Sequence, residues 1–226
     1  MRPRHALRNM SKSKNIYLTM KNKQNPLLFL LMLLSMCFSS YGQQYSTSLL
    51  ALSDSIIQTE IASFSITGKQ IMNEYLVTKS HLKGIPLKKV STNYLYFDDG
   101  NLISTNNLIS ISIQPLNLDS HIVSYSDSSK SSIYLIENKP FWGKSIPSSY
   151  IEEIRYIHVK YQLKLPKIAF ADLFDPIVDK ATCKAFQSKK TNNRYIYMTG
   201  YHCQKQYEVT WIISDGKYVG RVLDEI

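Results

Sequence analysis

From residue 43 onward the apolar positions change period once. Leu49, Leu52 and Ile56, with Leu50 and Ile57 beside them, recur at i, i+3, i+7 spacing. That is the stripe of an amphipathic helix, which Thr47 or Ser48 would cap and which would run to about Glu60. Beyond it the period is two. Ile109, Ile111 and Ile113 alternate with Ser110, Ser112 and Gln114. Ile157, Val159, Tyr161, Leu163 and Leu165 alternate with His158, Lys160, Gln162 and Lys164 in the same way. Strands with one apolar and one wet face belong to antiparallel sheets packed on one side. Residues 94–97, 132–136 and 194–198 are rich in Tyr and Ile and read as further strands. The expected fold is α+β: an N-terminal helix, then a mainly antiparallel, β-rich single domain over residues 43–226. The Ser-rich stretch 124–132 is the best candidate for a mobile loop.

The C-terminus is the most legible part. Residues 207–213 and 217–223 flank Asp215-Gly216, the dipeptide that supplies the positive φ angles of a two-residue hairpin turn. An unbroken register sets Ile213 opposite Tyr218, Trp211 opposite Gly220 and Val209 opposite Val222. Tyr207, Val209, Trp211 and Ile213 then form one apolar ridge, and Gly220 would leave space for the indole of Trp211. On such a face Trp211 reads as core in preference to a ligand platform.

The segment before this domain has a different grammar. Residues 20–42 (MKNKQNPLLFLLMLLSMCFSSYG) run from a basic start through an apolar stretch, 27–38, to small residues. That order is a secretory signal peptide. Its apolar stretch holds twelve residues, whereas a spanning helix needs about 20, so no transmembrane span is expected in the mature chain. Ser40 and Gly42 suit the −3 and −1 positions of a cut before Gln43. Met20 opens a complete signal, so translation is expected to begin there, with residues 1–42 as leader. The competing reading is a lipid anchor on Cys37, but Met36 is larger than the small residue that lipidation prefers before its cysteine.

Export changes the reading of charge and cysteine. The 226-residue chain has a formal charge of +10, but seven of its 27 Lys and Arg lie in residues 1–42, which hold no acid. The rest carries 20 basic against 17 acidic residues, no case for nucleic acid. Two cysteines remain, Cys183 and Cys203, and in an oxidising compartment a pair suggests a disulfide. A chain reversal over residues 192–194 would set them opposite each other across a hairpin, at about 4.5–5.5 Å between Cα atoms. The alternative is two buried thiols.

No catalytic signature stands out. There is no Gly-x-Ser-x-Gly elbow, no His-Glu-x-x-His helix, no Cys-x-x-Cys and no phosphate-binding glycine loop. His81, His121, His158 and His202 stand far apart, and His158 falls on the polar face of its strand. Asp172, Asp175 and Asp179 could offer oxygens to calcium from one helical face, but Pro176 interrupts that helix and favours a turn with solvated carboxylates. Glu152 and Glu153 are adjacent and point apart, so no glycosidase pair is expected. No metal site or cofactor is expected. The remaining oddity is KPFWGK at 139–144, where Phe141 and Trp142 stand between Pro140 and Gly143. Aromatics in such a loop either bind a sugar or a partner, or tuck onto the core.

One stretch resembles a known family. Residues 94–100 (YLYFDDG), Ile113-Gln114-Pro115, 118–124 (LDSHIVS) and 128–134 (SSKSSIY) resemble the plug domain of TonB-dependent outer-membrane receptors. The chain departs from that pattern at Leu135, where the family has Gly after Tyr134, and at 140–143 (PFWG). The resemblance implies a plug-like αβ unit in a small cell-envelope protein. Residues 207–221 are also similar to uncharacterised exported proteins of Gram-negative bacteria. The expected function is therefore an exported protein, periplasmic or extracellular, that binds a partner protein or a small ligand without catalysis. Two alternatives stay open: a secreted hydrolase with dispersed catalytic residues, and a plug-like component of an outer-membrane complex.

Overall fold

The computed structural model describes residues 46–71, 81–100 and 107–226. The signal segment, Cys37 and the Gly42/Gln43 junction lie outside them. In chain order the elements are β1 (Ser46–Thr47), α1 (Ser55–Ala62), α2 (Ile66–Ile71), β2 (Leu82–Gly84), β3 (Leu87–Ser91), β4 (Tyr94–Asp98) and β5 (Leu108–Pro115). They continue with β6 (Val123–Tyr125), β7 (Ile133–Ile136), β8 (Ser149–His158), β9 (Tyr161–Lys164), β10 (Lys184–Ser188), β11 (Arg194–His202), β12 (Lys205–Ser214) and β13 (Lys217–Glu225).

The described chain is mostly β-sheet. One sheet has the order β1-β13-β12-β11-β10-β2, the other β3-β4-β5-β8-β9, and β6 pairs with β7 alone. All pairings are antiparallel except β1 with β13. The two large sheets share a core: Leu95, Phe97, Ile109, Ile111, Ile154 and Tyr156 from one meet Ile196, Met198, Tyr207, Val209, Trp211 and Ile213 from the other. The far face of the six-stranded sheet carries Tyr195, Tyr197, Ile212 and Val222 against Ile61, Ala62 and Phe64 of the helical segment. Because side chains alternate along a strand, β12 serves both layers.

Several expectations from the apolar pattern are corrected. The helix begins at Ser55, capped by Asp54, whose carboxylate accepts the N–H groups of Ile56 and Ile57. Thr47 pairs with Val222 in β1 instead of capping, and the N–H of Leu49 donates to the Asp224 carboxylate. The long alternation through 157–165 is a hairpin, not one strand. Val159 and Lys160 form its turn, setting His158 opposite Tyr161 and Tyr156 opposite Leu163. A two-residue turn reverses the parity of the inward positions, so Tyr156 and Leu163 face the core together while Ile157 and Val159 stay exposed. The Ser-rich stretch 124–132 contributes β6 and a tight tip, where Asp127 accepts from the Oγ of Ser129 and Ser131 and from the N–H of Ser131.

In the C-terminal hairpin Ser214 faces Lys217 and Ile213 faces Tyr218. Asp215 and Gly216 have φ 47° and 75°, the pair of positive angles the turn demands. A bulge between Ile212 and Ile213 then shifts the register by one, so Trp211 lies opposite Arg221 and Val209 opposite Leu223. The ridge itself is buried: Tyr207, Val209, Trp211 and Ile213 are all fully enclosed. Gly220 makes no room for the indole. The glycine that makes room for a ring of this ridge is Gly200, directly across from Tyr207. A Cβ on Gly200 would stand 2.2 Å from Cζ of Tyr207.

The disulfide is overturned: Cys183 and Cys203 are both free, the first buried and the second exposed. The β10–β11 hairpin pairs Gln187 with Arg194 and Lys184 with Tyr197. Asn192 does take a positive φ of 58°, but the reversal occupies 189–193, five residues short of the register the bridge would need. Cys183 thus ends beside the middle of β11, where its thiol donates to the carbonyl of Ile177. Cys203 lies in the β11–β12 turn.

Candidate functional site

The site starts from a loop that the sheet holds by its backbone. Residues 166–174 leave β9 through Pro166 and a 3₁₀ turn, Lys167–Ala169. The carbonyl of Ala169 accepts from the indole N–H of Trp211 at 2.8 Å and from the Arg221 guanidinium at 2.9 Å. Arg221 also grips Asp172 bidentately, at 2.6 Å for each oxygen. Charge-assisted forked pairs of this kind fix orientation as well as energy. Trp211 and Arg221 are neighbours across β12–β13, so one step of the sheet pins the loop at Ala169 and Asp172.

A second segment is clamped onto the first. The N–H of Trp142 donates to the Asp172 carbonyl at 2.7 Å, and the N–H of Phe174 donates to the Trp142 carbonyl at 2.6 Å. The buried carboxylate of Asp175 accepts the N–H groups of Lys144 and Ser148 and the Ser148 hydroxyl. Successive side chains of this extended segment point opposite ways, which separates the two candidate aromatics. Trp142 turns inward, its ring 4.5 Å from that of His202 and 6.2 Å from that of Tyr207. Phe141 turns the other way, onto the cluster of Ile133 and Ile136, and meets Phe174 edge-on at 5.4 Å.

Beside Phe141 opens a cavity of about 730 Å³, within the range of about 300–1,000 Å³ typical of small-molecule sites. Its walls are chiefly apolar: Leu116, Ile136, Phe141, Tyr150, Ile151 and Phe174. Ile168 and Ala171 form an exposed lip. Polar groups enter at a few points. They are the Asp172–Arg221 pair, Lys139, Lys167, and His121 beside Glu137. The Glu137 carboxylate accepts from the N–H of Ile122 at 3.1 Å and lies 3.2 Å from the His121 ring.

The other candidates are scattered. Asp172 pairs with Arg221, Asp175 is enclosed, and Asp179 accepts the N–H groups of Ala181 and Thr182. Those N–H bonds hold the Asp179 carboxyl below its ordinary range. The expected turn of solvated carboxylates is thus corrected at Asp175, which is 2% exposed. His158 is half-buried and stacks on Tyr161 at 4.8 Å; burial, with Arg194 nearby, lowers its pKa. Among the described residues no three His, Cys, Asp or Glu side chains group to hold a metal ion. The described residues of the stretch 94–134 supply β4, β5, β6 and the start of β7.

Two buried carboxylates escaped the sequence reading. Glu60 accepts from Ser188 Oγ and Tyr195 Oη, both at 2.6 Å. Glu208 accepts the N–H groups of Ile66 and Thr67 and the hydroxyl of Tyr197. Both tie helices to the sheet, and burial raises the pKa of each tyrosine. No family model matches the chain, and neither a curated protein nor a solved structure does so.

Proposed function

We propose that this chain is an exported cell-envelope protein whose β domain binds a small, largely apolar ligand without transforming it. The observation that carries the reading is the cavity beside Phe141, concave and walled by aliphatic and aromatic side chains. Single polar groups around such a wall orient a ligand. The signal-like segment 20–42 supports delivery to the periplasm or the cell exterior.

Two measurements test this. Nile red should brighten on binding the protein, and Ala171→Trp, which places an indole at the exposed lip, should remove most of that signal without lowering the melting temperature. Unchanged dye binding in the variant would refute the cavity as the site. Mass spectrometry of the native protein should find a mature chain starting near Gln43; residues 20–42 still attached would refute export by cleavage.

A further inference from the structure

The charges around the cavity are not balanced where a ligand would meet them. Asp172 is fully engaged by Arg221, whose guanidinium is itself enclosed and also bonded to the Ala169 carbonyl. This pair forms a neutral piece of wall. The Glu137 carboxylate stays exposed and keeps its charge, with one oxygen against the Ile122 N–H and the His121 ring. Two ammonium groups remain. Lys167 Nζ donates to a neutral partner, the Glu152 carbonyl, at 3.2 Å and lies over the Phe170 ring. Lys139 is exposed at the cavity wall, and among the described residues its side chain meets no carboxylate. The lining therefore sets Arg221, Lys139 and Lys167 against Asp172 and Glu137, one positive charge in excess.

We infer that the ligand is a free amphipathic anion, with a single carboxylate held by Lys139 and Lys167 and an apolar body against Ile136, Phe141, Ile151 and Phe174. This rests on the cavity being the binding site. Ile136, Ile151 and Phe174 are each under 7% exposed, so the tail would lie on side chains already packed in place. A lysine is suited to such a head group, because its ammonium is a compact charge on a flexible stem that can follow the carboxylate. Burial of the tail supplies affinity, and the head group selects among tails of equal length.

Titration calorimetry with decanoate, decan-1-ol and decylamine, each below its aggregation threshold, separates the two layers of this reading. Decanoate should bind the full chain at least about tenfold more tightly than decan-1-ol, one charge-assisted contact's worth of discrimination. That preference should shrink as salt rises. Lys139→Gln/Lys167→Gln should abolish the preference, so that this variant binds decanoate no more tightly than it binds decan-1-ol. Equal affinity for acid and alcohol, or a preference for decylamine, would overturn the anionic ligand class and leave the cavity intact. Absence of binding by all three probes would instead overturn the cavity itself.

Discussion

Gly200 and Tyr207 face each other across β11 and β12, and the packing leaves no slack between them. Adding one methyl group at Gly200 puts a carbon 2.2 Å from Cζ, 2.3 Å from Oη and 2.4 Å from Cε1 of that ring. The ring has nowhere to retreat: Tyr207 is fully buried, packs edge-on against Trp142, and its hydroxyl donates to the Phe174 carbonyl at 3.0 Å. Gly200 has no positive φ, so the backbone itself would accept alanine, and the penalty is steric. Overpacking costs about 1–3 kcal/mol, and dislodging the Tyr207 hydroxyl from its acceptor costs about 1 kcal/mol more. Against this, alanine gains about 0.5–1 kcal/mol over glycine inside a strand. Gly200→Ala should therefore destabilise by about 2–3 kcal/mol, a fall of roughly 5–10 °C in melting temperature for a domain of this size. Urea unfolding followed by tryptophan fluorescence reads the value directly. The decisive comparison is a double-mutant cycle: with Tyr207→Leu in place, Gly200→Ala should cost nothing or add stability. The same cost in both backgrounds, or a cost below about 0.5 kcal/mol in the parent, would refute the packing argument.

Three further outcomes are expected. Gly216→Val should destabilise by more than about 1 kcal/mol, because a β-branched residue resists the φ of 75° and its Cβ would stand 2.6 Å from the Tyr161 ring; a denaturation midpoint equal to the parent's would contradict this. Iodoacetamide should alkylate Cys203 in the native protein and Cys183 only on unfolding, as peptide mapping would show, since Cys183 is enclosed and burial raises its pKa; a disulfide-linked peptide would refute the register of β10 against β11. Alkali should unfold the protein, and a part of the tyrosinate absorbance should appear only with that unfolding. Burial raises the pKa of Tyr156, Tyr195, Tyr197 and Tyr207, and takes Tyr218 to about 12. A folded pKa above the unfolded value of about 10 means stability is intact below pH 10 and is lost as pH rises toward 12; ionisation of every tyrosine while the fold persists would contradict the burial of these rings.

What the sequence disclosed was local. Asp215-Gly216 carries its turn geometry in two residues, and the odd positions of β12 carry their burial in simple alternation, so both could be read directly. The bulge after Ile212 has no such mark, and it alone moved Trp211 from Gly220 to Arg221. Likewise Val159 continued the alternation on either side of it, which hid a turn that reverses parity. The disulfide failed on arithmetic of the same kind: a reversal over 189–193 instead of 192–194 shifts the pairing of β10 with β11 by five residues. The cavity was the least legible feature. Its wall gathers residues from 116 to 221, most of them in loops where no period signals which side faces in; only Phe141, flagged by its Pro and Gly neighbours, gave any sign. Asp172 and Arg221 reveal their pairing only once the sheet sets Arg221 beside Trp211.

The short strand β1 has a consequence for the order in which the protein can be built. Ser46 and Thr47 pair with Arg221 and Val222, and the N–H of Leu49 reaches Asp224, 175 residues further along the chain. A ribosome adding about 5–20 residues per second needs roughly 10–35 s to bridge that gap. For that interval Leu49, Ile61 and Phe64 lack the strands that cover them, β11 to β13. The first described segment to be synthesised is thus among the last to be fixed. Folding of the helical layer waits on the final hairpin, and a chain arrested before β13 would carry this apolar strip uncovered, a natural handle for a chaperone or a protease.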